Sequence, residues 1–480
     1  MASRAKTEYK AASVIVLNLR LRHLTSLHGR ISLGRLFQKQ LFSALALALA
    51  MSATAARRAA IEPLPRVVLF QMRLRNGLRA VLAPRGHSGV VTLEAWYHVG
   101  SKNEAPGMTG FAHLFEHLMF DGTPQVGRGE FSRYIVNAGG IDNAYTTVDA
   151  TVFWETMPSD TLPVALWLEA NRMRHLSITR SAFNTERHVV EDERRYRLES
   201  QPYGKMIEEL YHTAFKVSPY RHLPIGSMKD LERARLAEVK QFYDTYYVPN
   251  NATLIVTGDF STTQAESLIR KYFGELKAGS RPISRQIPQE PRQTHERIVS
   301  LHLRVALPAF VMGFHIPADG TADSYPLRLM ANILSEGKSS LFYRRMVYDP
   351  PMALEAEGQG NFTEDPNLFL IFAVMNSGYS AAHGEAAVRS ILESLKQRPP
   401  SPTVLEKAKR QIIFRMARNL ETSRRLAEEL GDDAVILKDP RLANSAIQRF
   451  LAISPRDIQR VARKYFSWRN LTLIQVDPRR

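Results

Sequence analysis

The stretch Phe111–Gly122, FAHLFEHLMFDG, restricts the fold more than any other part of this chain. It places His113, Glu116 and His117 in the order H-x-x-E-H. Positions four apart on a helix share a face, one turn above the other. A helix here lets both imidazoles reach one ion, with Glu116 beside them. Zinc suits such a set, because imidazole nitrogen is a good ligand and a catalytic site uses three protein ligands plus a water. Thr109 is the expected helix cap, after the turn residues Pro106 and Gly107. Two histidines on a half-apolar helix are also compatible with ordinary core or surface roles, so a third ligand is required.

That ligand should be an acid on another element. The segment Ser181–Ser200, SAFNTERHVVEDERRYRLES, has a helical pattern. Glu186 and Glu193 are seven apart and share one face of it, whereas Glu191 and Asp192 point elsewhere. The plain alternative is a solvated helix paired with its own arginines.

H-x-x-E-H with a glutamate 76 residues beyond His117 resembles the pitrilysin or insulysin family of zinc peptidases, the inverzincins, which includes mitochondrial processing peptidases. The resemblance continues through GGIDNAYTTVDATVFWETMP, YVPNNATLIVTGDF and ILSEGKSSLFYRRMV, and so covers nearly everything after about Leu64. It implies His113, His117 and Glu193 as ligands of one Zn²⁺ per chain, Glu116 as the base that activates a zinc-bound water, and Glu186 as support for a ligand. It also implies that Asn143, Ala144, Tyr145 and Thr146 lie on a sheet edge where an extended peptide adds as a strand. Such an edge binds main chain without reading sequence. The activity implied is zinc-dependent endoproteolysis of extended peptides or small unfolded proteins. The alternative is a non-catalytic scaffold or binding subunit, which would not need all four site residues.

One departure bears on partners. Single-chain members carry an Arg and a Tyr seven apart in the second half. Here the matching region is RRMVYDPPMALEAEG, with Pro351 seven beyond Arg344 and Met352 seven beyond Arg345. In two-subunit members a related partner carries the pair. The resemblance therefore implies a hetero-oligomer with such a subunit, or else a homodimer.

At 480 residues the chain is long enough for two or more cores. It contains no cysteine, which excludes disulfides, thiolate nucleophiles and cysteine zinc sites. The first 55 residues carry +7 of the total +17, which leaves +10 for the rest. That excess is spread among acids with no basic–aromatic block, so a solvated surface is expected rather than nucleic-acid binding. Gln40–Ala56 is uncharged, and LFSALALALAM followed by Ala53-Thr54-Ala55 forms a secretory signal pattern. Export to a bacterial periplasm, with no stable membrane span after processing, is the expectation. The long basic lead leaves a mitochondrial matrix presequence or an uncleaved membrane anchor as alternatives.

Element order predicts an α+β fold of two similar α/β halves. Each is an antiparallel-rich sheet with helices packed on one side, joined clam-like by a linker. Residues 1–56 form the targeting segment, 57–275 the N-terminal catalytic zinc-binding domain, 276–295 the Pro- and Gly-containing linker, and 296–480 a C-terminal non-catalytic domain of similar fold. Asn76-Gly77 predicts a hairpin, and Leu231–Tyr247 reads as one helix.

Overall fold

The computed structural model describes residues 64–479, so the predicted targeting segment, residues 1–56, lies outside the described residues. Two sheets fall on either side of the predicted linker. The first holds β1 (Phe70–Arg73), β2 (Arg79–Pro84), β3 (Val90–Tyr97), β4 (Ile141–Thr146), β5 (Thr151–Pro158) and β6 (Ala252–Gly258). Their order is β1-β2-β6-β3-β5-β4. The second holds β7 (Arg297–Leu303), β8 (Ala309–Ile316), β9 (Ala353–Gly360), β10 (Asn367–Met375) and β11 (Leu471–Pro478), in the order β7-β11-β8-β10-β9. Shifting the numbers by five turns β2-β6-β3-β5-β4 into the second order. In both sheets the first two strands of this order pair in parallel and the other pairs are antiparallel. The repeat is therefore visible in topology, where the sequence shows it only as element order.

The Asn76-Gly77 hairpin forms between β1 and β2, with Gly77 at φ 91°. Backbone at that angle strains any side chain with a Cβ. The predicted helix over 231–247 is two helices, Met228–Arg233 and Leu236–Tyr246. Arg235 between them is extended, and its N–H donates to the Glu238 carboxylate (3.1 Å), which restarts the helix. The linker lacks regular structure but is tied down. The Glu290 carboxylate accepts the N–H groups of Lys216, Val217 and Ser218, and Arg285 donates to the His98 carbonyl.

Each sheet packs helices of its own half on one face. In the first half these include α1 (Phe111–Leu118), α2 (Leu162–His175) and α3 (Arg180–Arg194), whose apolar residues share one core with β2, β3 and β6. The opposite face of each sheet is covered by a helix from the other half. Helix α4 (Gly204–Ala214) lays Met206, Leu210 and Ala214 on Val311, Leu368 and Ile474 of the second sheet. Helix α5 (Ser423–Val435) lays Leu426, Leu430 and Ala434 on Val81, Trp96 and Ile255 of the first. Arg424 at its start reaches buried Glu94 (2.6 Å). This exchange makes Arg66–Arg480 one compact unit.

Helix α5 approaches β3 so closely that a Cβ on Gly431 would lie 2.1 Å from the Trp96 ring. Alanine is the better helix former by about 1 kcal/mol. Here overpacking, worth about 1–3 kcal/mol, outweighs that gain. Gly431→Ala should therefore lower the midpoint of denaturant unfolding, and an unchanged or raised midpoint would contradict the packing described.

Candidate metal centre and peptide edge

Helix α1 forms because Phe111, Leu114, Phe115 and Leu118 face the core and are at most 1% exposed. Phe115 stacks on Phe242 and Tyr243. The helix start differs from expectation. Thr109 is occupied by Asp230 (Oγ1–Oδ2 2.5 Å), and Gly110 is the cap residue at φ 96°. The freed N–H groups of Gly110 and Ala112 donate instead to Glu104, at 2.9 and 2.8 Å. His222 contacts the same carboxylate at 2.8 Å. A buried acid six residues upstream competes better than a threonine already engaged elsewhere, and a carboxylate is also favoured by the helix dipole.

Helix α3 starts at Thr179, whose hydroxyl accepts the Ala182 N–H at 3.1 Å. It runs to Arg194 and continues as a π-helical turn, Arg195–Glu199. Its Glu186–Glu193 face meets α1. Glu193 Oε2 lies 3.3 Å from His117 Nε2 and 3.5 Å from His113 Nε2. Glu186 Oε2 lies 3.6 Å from the other nitrogen of His117. The sequence-predicted quartet His113, His117, Glu193 and Glu186 is thus brought together.

Two nitrogens and one oxygen within 4.8 Å of one another form a group able to hold a metal. The spacing itself is informative. Ligands about 2.0–2.1 Å from a tetrahedral zinc stand about 3.3 Å apart, close to the separations found here and longer than most hydrogen bonds. His113 Nδ1 is buried without a hydrogen-bond partner. The donor set fits zinc.

The electrostatics are those of a site that attracts positive charge. Burial opposes a charge on His117, but the Glu186 and Glu193 carboxylates facing its two nitrogens outweigh it and push the imidazole up to about 9. Burial, with His117 beside it, pushes His113 down to about 4. The His117 imidazole facing them holds both Glu186 and Glu193 below the usual carboxylate range. A cation that binds here replaces the proton on His117. Burial raises Glu116, against the hydrogen bond it accepts from Thr146.

That bond (Thr146 Oγ1 to Glu116 Oε2, 2.7 Å) joins α1 to β4. Among the described residues, strand β4 pairs only with β5 and forms the sheet edge. Ala144 packs on the core beside α1, whereas Tyr145 meets Trp96 on the opposite face. Asn143 uses its side-chain oxygen to hold the Ala144 N–H at 2.8 Å.

Sequence reasoning missed two arginines. Arg128 donates to Glu186 (2.6 Å) and pairs with Asp121 (2.7 Å), while Arg197 grips the second oxygen of Glu193 (2.7 Å). Arg197 stands four beyond Glu193, a spacing that could have suggested it. Arg128 sits in a glycine turn with no such signal. A second acidic group, Asp149, Glu364 and Asp365, already encloses the Lys102 ammonium at 2.9, 2.6 and 3.1 Å. There the lysine occupies the cation position.

Comparison with known proteins gives the family of the chain. Residues 79–223 match the profile described as Insulinase (Peptidase family M16), and residues 233–412 match the Peptidase M16 inactive domain. The chain is 31% identical over 408 residues to "Zinc protease PqqE" of Helicobacter pylori, covering 84% of this chain and 92% of that one. It is 24% identical over 413 residues to "Mitochondrial-processing peptidase subunit beta" of Lentinula edodes, covering 82% and 86%. A crystal structure of a protease from Helicobacter pylori superposes with a TM-score of 0.83 at 31% identity, over 86% of this chain and 100% of that chain. With both halves matched in order, and the H-x-x-E-H helix inside the first match, this chain belongs to peptidase family M16.

Proposed function

We propose that the chain is a zinc-dependent endopeptidase acting on extended peptides. The observation that carries this reading is one carboxylate oxygen of Glu193 facing the Nε2 atoms of both His113 and His117 at 3.3–3.5 Å, with Glu116 alongside. His113, His117 and Glu193 would hold one Zn²⁺. When bound, the ion supplies a Lewis acid for a peptide carbonyl and lowers the pKa of a water toward about 7. Glu116 takes a proton and later returns it to the leaving amine, and burial raises its pKa toward that task. Thr146 orients Glu116 from the strand that receives the peptide, so the base and the bound main chain share one frame. Glu186 fixes the His117 ring, and Arg128 fixes Glu186.

In this reading residues 57–275 form the catalytic domain and 296–480 a non-catalytic one. Arg344 and Arg345 lie in a π-helical turn, Tyr343–Tyr348, and the positions seven beyond them are Pro351 and Met352. A related subunit supplying an Arg–Tyr pair would complete the substrate grip. Processing near Ala55 after export is part of the proposal and rests on the N-terminal pattern.

His117→Ala should drop zinc content from about one per chain toward zero after dialysis, measured by elemental analysis. Full retention would reject the ligand set. Glu116→Gln should keep zinc while kcat/KM on an unfolded protein substrate falls by about a hundredfold or more. Near-normal turnover by the zinc-loaded variant would remove Glu116 from its role. Purified alone, the zinc-loaded chain should cleave slowly, and adding a related subunit that bears the Arg–Tyr pair should raise the rate by about tenfold or more. Rates of about 1–1,000 per second from the isolated chain would exclude the need for a partner.

A further inference from the structure

The +10 excess beyond residue 55 is dispersed along the sequence, but folding gathers part of it at one corner of the first half. The β1–β2 hairpin, RLRNGLR, carries Arg73, Arg75 and Arg79 and no acid. A second stretch, RKYFGELKAGSR (residues 270–281), carries Arg270, Lys271, Lys277 and Arg281 against one acid, Glu275. It spans the last turn of the helix Thr262–Phe273 and the start of the linker. Asn76 in the hairpin turn ties the two together. Its Nδ2 donates to the carbonyls of Phe273 and Leu276, at 2.7 and 2.9 Å. Asn250, packed against Gly77, exchanges hydrogen bonds with Gly279 in the linker, at 2.7 and 3.3 Å.

All seven basic residues are exposed. Among the described residues none of them makes an ion pair, whereas Arg128, Arg194 and Arg195 in the same half are each paired with an acid. Arg270 and Lys271 suit the end of a helix, where a cation complements the dipole. The hairpin arginines have no such return. Arg73 and Arg79 are direct cross-strand partners, and like charges placed opposite each other destabilise a sheet. Partial burial, with the Arg73 guanidinium opposite, lowers the Arg79 pKa. Cations crowded in this way, without acids of the chain to offset them, mark a surface that an anionic partner completes.

The form of the surface selects among anionic partners. Neither stretch exposes a large apolar residue, so the corner lacks the anchor that centres a protein interface. Tyr272 is half-buried with Lys271 over its ring, and Phe273 is buried, so neither ring is free to stack on a base. What remains is a set of long, unpaired cations on a turn and a loop, which suits an extended plane of charge. We propose that this corner docks the protein on a membrane surface rich in anionic phospholipid. Such surfaces attract clusters of about four to eight Lys and Arg. Among the described residues no helix is long and apolar enough to cross a membrane, so the contact is peripheral. The choice of a membrane rests on the export pattern of the N-terminal segment and not on the peptidase reading. The placement nevertheless serves a peptidase. Strands β1 and β4 are opposite edges of the sheet, about 24 Å apart across five strand spacings, so docking through the hairpin leaves β4 clear of the headgroups.

The test uses the chain without residues 1–56, because Arg66–Arg480 is one compact unit and the apolar N-terminal run would bind lipid by itself. Co-sedimentation compares vesicles of phosphatidylcholine alone with vesicles that also contain phosphatidylglycerol. The mixed vesicles should bind about a hundredfold tighter at low salt. The difference should vanish at about 1 M salt, where the screening length is about 3 Å. Arg73→Gln, Arg75→Gln and Arg79→Gln combined should weaken binding to the mixed vesicles by about tenfold or more. Zinc content should hold, and the melting temperature should hold or rise as the Arg73–Arg79 repulsion is removed. Arg292→Gln, Arg304→Gln and Arg398→Gln combined remove the same charge from exposed positions elsewhere and should leave binding unchanged. No preference for phosphatidylglycerol, or equal losses in the two triple variants, overturns the docking corner. Tighter binding to duplex DNA or polyglutamate than to the mixed vesicles assigns the corner to another polyanion and overturns the membrane reading. Mass analysis of the N-terminus of protein from its host reads export separately, so a failure of export and a failure of docking are distinguished.

Discussion

Both faces of each sheet are apolar, and the helices of one half cover only one of them. That constraint organises the molecule. Strand β6 is buried along its whole length, as is most of β8 and β10. Leaving either outer face open would expose a contiguous apolar surface, at about 25 cal/mol for each Å². The exchange of α4 and α5 removes both surfaces at once. It also carries buried polar contacts across the boundary, among them Arg424 to Glu94 and the Thr257 hydroxyl to the Ser423 carbonyl. The two sheets are therefore a repeat in topology but not independent in stability.

The candidate metal centre is built wholly within the first half, yet its surroundings depend on the second. Helix α1 is held at its start by Glu104, along its length by the aromatic cluster of Phe242, Tyr243 and Tyr247, and at Glu116 by β4. Strand β4 in turn precedes the loop that carries Asp149. Asp149 accepts the backbone N–H of Glu364 at 2.9 Å and belongs to the ion cluster around Lys102. An edge strand with nothing behind it would fray. Here the second half braces the end of that strand without placing a residue among the candidate ligands.

The two acidic clusters show one residue class in two situations. Lys102, with its side chain 1% exposed, turns three carboxylates into a structural tie, since breaking a buried pair leaves an uncompensated charge. Glu364 there is held below the usual range by hydrogen bonds from His98 and Lys102, although burial works against its charge. Asp433 is buried beside Glu429 and Asp432, with no hydrogen-bond partner on Oδ2, and is driven the opposite way.

By itself the sequence determined the features that short-range periodicity dictates. The four-residue spacing of His113 and His117 fixed their common helix face, and the seven-residue spacing of Glu186 and Glu193 did the same for α3. The Thr, Val, Tyr and Phe content of IDNAYTTVDATVFWETMP marked two strand runs, and Asn76-Gly77 located the first hairpin. These are properties of local backbone stereochemistry, repeated every 3.6 or 2 residues. The tertiary structure decided which surfaces meet. It gave the α1 cap to Glu104 rather than Thr109, placed Arg128 on Glu186, and hung Glu116 on Thr146, contacts between residues up to 58 positions apart. It exchanged α4 and α5 between the sheets, a pairing no amphipathic pattern specifies, because an apolar stripe shows that a helix must be covered but not by what. Gly431 is the residue where the two levels meet. Read locally it weakens a helix, and only the Trp96 ring against it explains why no larger side chain fits.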